Sequence, residues 1–361
     1  MSVDPHSKTT DTQSSDILIV GGGPTGLSAA IFCALKGLQA EVWEPKSGII
    51  DKACGEGLMP AAIEKLQNMG VQINTSHEFL GIRYIEHGLI AEGHFPQGPG
   101  QGVRRLVLHE ALMQRAKELG VRFQQRKLQN IHSEKDYIVA DGQIFSYALA
   151  ADGLNSPIRR NLGLDLPPKR PKRLGMRRHY AQKPWSSFVE VYWSPQAEAY
   201  VTPVSDNQVG VAILYYKDIH LSQDISQSKY DQLLQLFPDL CEKLQGEPSS
   251  ILRGAGHFER RSKTKVHGRI LLIGDAGGYL DPLTGEGIRL GLDTAEAAVE
   301  CISHHQPQKY NRLWKIHTLK YWVLTDGLLF IRRFSILRKL IVPTMHRLPR
   351  IFSRIIGMLA G

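Results

Sequence analysis

The strongest constraint on the fold lies between residues 17 and 44. Ile17-Leu18-Ile19-Val20 is a short run of branched apolar residues, the kind that fills a parallel strand buried on both faces. Gly21-Gly22-Gly23-Pro24-Thr25-Gly26 follows at once, and Leu27 to Gly37 then sets Ala29, Ala30, Ile31, Ala34 and Leu35 where a helix would pack onto a sheet. A second strand, Ala40-Glu41-Val42-Trp43, ends at Glu44, about 20 positions beyond the glycines. A bare glycine pattern is a weak signal, whereas strand, loop, helix, strand and acid in this order are restrictive. Gly21 permits the tight turn, Gly23 lets backbone N–H groups approach a pyrophosphate, and Gly26 lets helix and strand touch. The positive end of the helix faces phosphate charge, and Glu44 is set to accept from ribose hydroxyls. Glycines that merely turn the chain would leave the full context and spacing unexplained. This segment alone does not separate one adenine dinucleotide from another.

Later segments narrow the choice. Gly268 to Ile273 is a second buried-strand pattern running into Gly274-Asp275-Ala276-Gly277-Gly278, and Asp281-Pro282-Leu283-Thr284-Gly285-Glu286-Gly287 then opens a helix expected to reach about Cys301. A carboxylate at a strand end can bind sugar hydroxyls, and a glycine-rich helix start aims N–H groups at a bound group. A plain strand, turn and capped helix would leave Gly285 and Gly287 without a purpose. Between these lie Leu149-Ala150-Ala151-Asp152-Gly153 and the helix start Arg105-Leu106-Val107-Leu108-His109. An isolated Asp-Gly is usually a turn, and only its position in the series raises it.

Collinear from Ile17 to about Cys301, these motifs resemble the FAD-dependent monooxygenase and geranylgeranyl reductase superfamily, close to the group A flavoprotein hydroxylases. The resemblance implies an α/β fold: a Rossmann-type FAD-binding domain, an inserted, mostly antiparallel β-sheet substrate domain, and a helical C-terminal tail. It implies FAD contacts at Gly21, Gly23, Pro24, Thr25, Gly26, Glu44, Arg105, Asp152, Asp275, Pro282, Gly285 and Gly287, with NADPH or NADH as transient reductant. Asp275 would take a ribose or ribityl hydroxyl, residues 282–287 would lie against the flavin ring, and Asp152 would serve both pyrophosphates. Asp51-Lys52-Ala53-Cys54-Gly55-Glu56-Gly57-Leu58-Met59-Pro60 is similar to the CGEG segment of geranylgeranyl reductases. It supplies the catalytic candidates Cys54 and Glu56. Cys54 reads equally as a proton donor, a pocket wall or an inert small hydrophobe.

Two chemistries share such a site. A hydroxylase passes an activated oxygen to an electron-rich ring, whereas a prenyl reductase delivers hydride to an isolated double bond with a proton from a nearby acid. Ala199-Tyr200-Val201-Thr202-Pro203-Val204 departs from the aromatic YxWxFP signature of the reductases, and no Trp-x-Trp-x-Ile-Pro halogenase motif accompanies Trp185 or Trp193. The combination of CGEGLMP, DPLTGEG and a basic apolar tail resembles oxidoreductases that hydroxylate polyketide or phenolic lipids. The expectation is therefore a monooxygenase acting on a small hydrophobic or aromatic substrate. The alternatives are a prenyl double-bond reductase or a non-catalytic flavin-binding module.

At 361 residues, a large domain with an inserted lobe is expected. Residues 16–75, 102–168 and 254–303 are assigned to the FAD half, 76–101 and 169–253 to the substrate domain, and 304–361 to the tail. Residues 1–15 are polar and read as a flexible lead-in without an export signal. Four scattered cysteines with no CxxC pair fit a reducing cytoplasm and no metal site. The net charge of +9 resides in the tail, where residues 311–361 carry ten Lys or Arg against Asp326 alone. A balanced body argues against nucleic acid as a partner. The tail reads either as a pair of helices with a solvated basic face or as a peripheral attachment to anionic lipid. Its apolar runs fall short of the roughly 18 to 20 residues a spanning helix needs. A basic cluster at Lys169, Arg170, Lys172, Arg173, Arg177 and Arg178 reads as a solvated linker face or as an attractor of nicotinamide-cofactor phosphates.

Overall fold

The structure, a computed structural model, describes residues 17–221 and 226–360, so the lead-in at residues 1–15 lies outside the described residues. Ile17–Val20, Ala40–Trp43, Arg122–Gln124, Tyr147–Ala150 and Ile270–Leu272 form a parallel sheet, and Val266–His267 adds an antiparallel edge. Ile17–Val20 is central, with the strands at 40–43 and 122–124 to one side and those at 147–150 and 270–272 to the other. This is the strand-order reversal at which open α/β sheets bind ligands. Alternate residues serve opposite cores: Ile17, Ile19, Leu149 and Leu271 pack under helices, whereas Leu18, Val20, Ala148 and Leu272 face a small antiparallel sheet of residues 131–145.

The helices, in chain order, are α1 (Pro24–Leu35), α2 (Pro60–Asn68), α3 (Arg105–Glu118), α4 (Pro157–Asn161), α5 (Lys229–Leu234), α6 (Pro238–Lys243), α7 (Gly287–Ser303), α8 (Tyr310–Arg333), α9 (Ser335–Arg347) and α10 (Pro349–Ala360). Pro24 starts α1 where a missing N–H costs nothing, and Ala29, Ala30 and Cys33 give it a thin buried face. That face packs with α3 and α7 over the parallel sheet.

The inserted domain is a second, eight-stranded sheet, antiparallel except where Val189–Trp193 runs parallel to Gly81–Glu86. Along Gln208–Tyr216, Val209, Val211, Ile213 and Tyr215 point outward beneath α5 and α6. There Tyr230, Leu233, Phe237 and Leu240 are buried, each stabilising the lobe by about 1.5–3 kcal/mol. The opposite face looks toward the domain of the parallel sheet.

Three expectations are corrected. Arg253–Gly256 pairs with Arg173–Ala181, so the chain returns to the first domain only after Gly256, not at residue 254. Residues 173–178 are not a solvated linker. They lie in a nine-residue strand, Arg173–Ala181, in which Arg173 and Arg177 are buried on the inner face and Arg178 alternates outward. Among the described residues the tail contains three α-helices rather than two, because Leu348, disfavoured in the helical region by the proline that follows it, breaks the chain and Pro349 begins α10. In α8, Trp314, Thr318, Tyr321, Thr325 and Leu329 form a buried stripe at helical spacing. Below it, Phe352 and Ile356 of α10 fill the space over Gly93.

Candidate active site

Four of the sequence-derived residues meet because their strands end level. Val20 is in register with Trp43 and with Ala150, and Ala150 with Leu272. Gly21, Glu44, Asp152 and Asp275 follow those ends within a few residues, so all four sit on the carboxyl edge of the sheet.

The glycines differ in the room around them. Gly21 has φ +111°, and a Cβ there would lie 2.4 Å from the Ala151 carbonyl oxygen. At Gly26 a Cβ would come within 1.9 Å of the Gly21 oxygen, whereas at Gly23 it would meet nothing within 4 Å. The loop is thus tight on its protein side and open where a ligand backbone would run. Thr25 has a task the sequence did not disclose. Its hydroxyl would be 2.7 Å from a Cβ at Gly274 and 2.4 Å from one at Gly291, so it wedges the first loop against the second and against α7. Glu44 accepts from Gly22 N at 2.9 Å and from Lys46 N at 3.0 Å, and lines an open cleft of about 530 Å³ with Gly22, Met113 and Phe123.

Across the groove, Asp152 accepts from Ile158 N at 3.0 Å and so holds the start of α4, while its Oδ1 is buried without a partner. The Arg105 guanidinium is also buried, with one terminal nitrogen unpartnered, and burial lowers its pKa. His109, missed as a candidate, donates from Nε2 to the Gly22 carbonyl at 2.8 Å. That leaves its buried Nδ1 an unmatched acceptor, and burial holds the ring below the ordinary histidine pKa. Asp275 makes no side-chain hydrogen bond among the described residues. Burial raises its pKa to about 6, opposed by the charges of Lys52 and Arg159. Pro282–Thr284 forms one 3-10 turn capped by the Asp281 side chain, Gly285 is left-handed at φ +72°, and α7 starts at Gly287.

The CGEG loop is clamped between the domains. Glu56 carries φ +61°, unusual for a side chain of its size, and is 3% exposed. Its Oε1 accepts from Arg105 N at 2.8 Å and its Oε2 meets His179 Nε2 at 2.5 Å. The His179 Nδ1 lies 3.2 Å from Arg177 Nη1 and 2.9 Å from Ser250 Oγ. Arginine can only donate, so Nδ1 is the acceptor and the ring is neutral, with its proton on Nε2 toward Glu56. Burial holds its pKa below the usual value against the pull of Glu56. Arg177 also donates to Asp51 at 2.6 Å, and Thr202 Oγ1 to the Gly55 carbonyl at 2.8 Å. Cys54 is half-buried, and its Sγ accepts from Glu56 N at 3.4 Å. Desolvation, then the charge of Glu56, raises its pKa, so it is a thiol rather than a thiolate.

The inner face of the second sheet supplies the rest of the wall. The register aligns His179 with Gly210 and Gly210 with Thr202, and Arg177 with Ala212 and Ala212 with Tyr200. Tyr200 donates to the Leu283 carbonyl at 3.0 Å, so neighbouring strands grip both cofactor-side loops. Beyond them Arg173 bridges Glu198 at 2.5 Å and Asp281 at 3.1 Å, and Arg332 of α8 pairs with the same Glu198.

With this geometry in view, comparison with known proteins defines the class. A family model described as "FAD binding domain" matches residues 14–305, and the chain belongs to that family of flavoprotein oxidoreductases. It is 26% identical to menaquinone reductase of Mycobacterium tuberculosis over 91% of this chain and 83% of that one. It is 25% identical to digeranylgeranylglycerophospholipid reductase 1 of Methanothermobacter thermautotrophicus, over 77% of this chain and 74% of the other. Among solved structures, p-nitrophenol 4-monooxygenase PnpA from Pseudomonas putida superposes with a TM-score of 0.81 at 17% identity, covering 96% of this chain and 98% of its own. Reductases and monooxygenases thus share the fold.

Proposed function

We propose that this chain is an FAD-dependent, NAD(P)H-driven reductase that adds hydrogen across a carbon–carbon double bond of a hydrophobic, lipid-like substrate. The residues present fit FAD. The open glycine loop, the unpartnered Asp152 Oδ1, Arg105 and His109 Nδ1, and the unengaged Asp275 are buried or groove-facing polar groups that a dinucleotide would satisfy. Gly21, Gly23 and Gly26 with Pro24 and Thr25 would hold the pyrophosphate, Glu44 the adenosine ribose, and Asp275 the ribityl chain. Pro282, Gly285 and Gly287 would lie beside the ring. When bound and reduced by NADPH or NADH, FAD supplies a hydride.

The observation that carries the choice of reduction is the Cys54–Glu56–His179 cluster. A half-buried thiol that keeps its proton is suited to protonate the carbon that does not receive hydride. The Glu56 N–H toward Sγ stabilises the thiolate left behind, and solvent at this partly exposed position restores the proton. Glu56 and His179 act as positioning residues for the loop. The two reductase relatives support the same direction, since they are named for the reduction of menaquinone and of a digeranylgeranylglycerophospholipid.

Hydroxylation of an aromatic or phenolic lipid is the second reading, and Thr202 favours it. The reductase signature carries an aromatic residue in this stretch, whereas here the hydroxyl is engaged in holding Gly55. Anaerobic reduction of the FAD-loaded protein by NADPH, followed by a polyprenyl lipid under argon, separates the two. Flavin re-oxidation with formation of the saturated product supports reduction. Turnover that needs oxygen and a phenolic lipid selects hydroxylation, and a protein that takes up no FAD sinks both.

A further inference from the structure

The outer face of α8 has no role in the fold. Ile316, Leu319, Val323 and Phe330 are 58%, 63%, 61% and 53% exposed. At about 100° per residue they fall within a sector of about 60°, centred about 150° around the helix from the buried stripe of Trp314 to Leu329. The line continues across the helix junction. Phe330 and Phe334 meet edge-on at 5.1 Å, and Ile336, Leu337 and Leu340 of α9 are exposed beyond them. The result is an apolar ridge on a rigid support, because Arg332 is anchored to Glu198 and Val342, Phe352 and Ile356 are buried against the second sheet.

Charge identifies the occupant. Arg312, Lys315 and Lys320 flank the ridge on α8, and Lys339, Arg347 and Arg350 extend the basic rim along α9 and α10; all are exposed and, among the described residues, form no ion pair. The single acid of the tail, Asp326, is paired with Arg170. We infer that the α8–α9 ridge docks this protein on a bilayer carrying anionic headgroups, with the apolar side chains in the acyl boundary and the basic rim on the phosphates. A second copy of the chain is a poor occupant, since a two-fold contact through the ridge would bring identical basic rims together. No helix among the described residues is long and apolar enough to cross a membrane, so attachment is from one side. Leu329 and Arg333, at the end of the same helix, line a small cavity with Tyr216, Phe258 and Asp281. Docking is independent of which reaction the flavin drives.

The test is flotation of the full-length, FAD-loaded protein with phosphatidylcholine vesicles, with and without phosphatidylglycerol. The wild type is expected to float with the anionic vesicles at low salt, to release as salt rises, and to bind the neutral vesicles at least about tenfold less. Leu319→Glu with Val323→Glu should lower binding about tenfold or more, and Lys315→Gln with Lys320→Gln about fivefold per lysine. All four positions are exposed, so FAD content and melting temperature should stay at wild-type values. Equal flotation with both vesicle types, ridge variants that float like wild type, or a dimer in solution that the ridge variants split would each overturn the inference.

Discussion

Replacing Glu56 is the sharpest test of how the active site is held. Glu56→Ala removes the acceptor of the Arg105 N–H at 2.8 Å and the partner of His179 at 2.5 Å, and it leaves Arg177, 3.7 Å away, with Asp51 as its remaining acid. A buried N–H without a partner costs about 1–3 kcal/mol, and a charge-assisted bond is worth about 1.5–3 kcal/mol. Alanine keeps the left-handed backbone at φ +61°, so no strain is released. The expected destabilisation is about 3–5 kcal/mol, in line with the breaking of buried ionic contacts. Glu56→Gln preserves shape but only one acceptor and sets its amide N–H against the second donor, so it should cost about 2–4 kcal/mol. Urea denaturation of the FAD-loaded variants, followed by intrinsic fluorescence, measures both. Because Glu56 positions the Cys54 loop, both variants should also lose more kcat than KM. Alanine within about 1 kcal/mol of wild type would refute the claim that this carboxylate clamps the two domains.

Gly26→Ala should abolish FAD retention and destabilise the fold by about 3 kcal/mol or more, since its Cβ would sit 1.9 Å from a backbone oxygen; flavin absorbance and thermal melting report both. Asp275 predicts a pH effect. With its pKa raised from 3.8 to about 6, the cofactor-free fold holds an extra proton between those values and loses the associated stability as pH rises through 6. A sugar hydroxyl donating to the carboxylate favours the ionised form, so FAD affinity should be highest above pH 6 and weaken below it. Asp275→Asn should flatten that profile in a fluorescence titration. Cys54→Ala should retain FAD and lower turnover at least about tenfold if the thiol donates the proton; unchanged turnover would remove it from the reaction.

What was legible in the sequence follows from range. The strand at 17–20, its glycine loop and Glu44 are contiguous and carry their own periodicity, so this corner of the parallel sheet could be laid out from the sequence. Gly274 to Gly287 was equally local. The Glu56–His179 contact spans 123 positions and depends on a strand whose inward side chains are Arg173, Gly175, Arg177 and His179. Strand recognition relies on apolar alternation, and here the alternating residues are charged or absent, so the stretch looked like a basic linker. Only the ion pairs to Asp51, Glu198 and Asp281 explain why arginine is tolerated inside. Thr25 was assigned to the cofactor by its place in the motif, yet its side chain faces Gly274 and Gly291, a packing relation that no local pattern encodes.

The pairing of Arg332 with Glu198 bears on how the chain is made. Until residue 332 has emerged and α8 has settled, Glu198 and Asp281 have Arg173 as their partner in this network, and Arg332 is missing from it. The ion network of the second sheet is therefore completed only when α8 packs on it. Completion waits for the final helices, so the step that closes the network is also the step that presents the ridge on the surface.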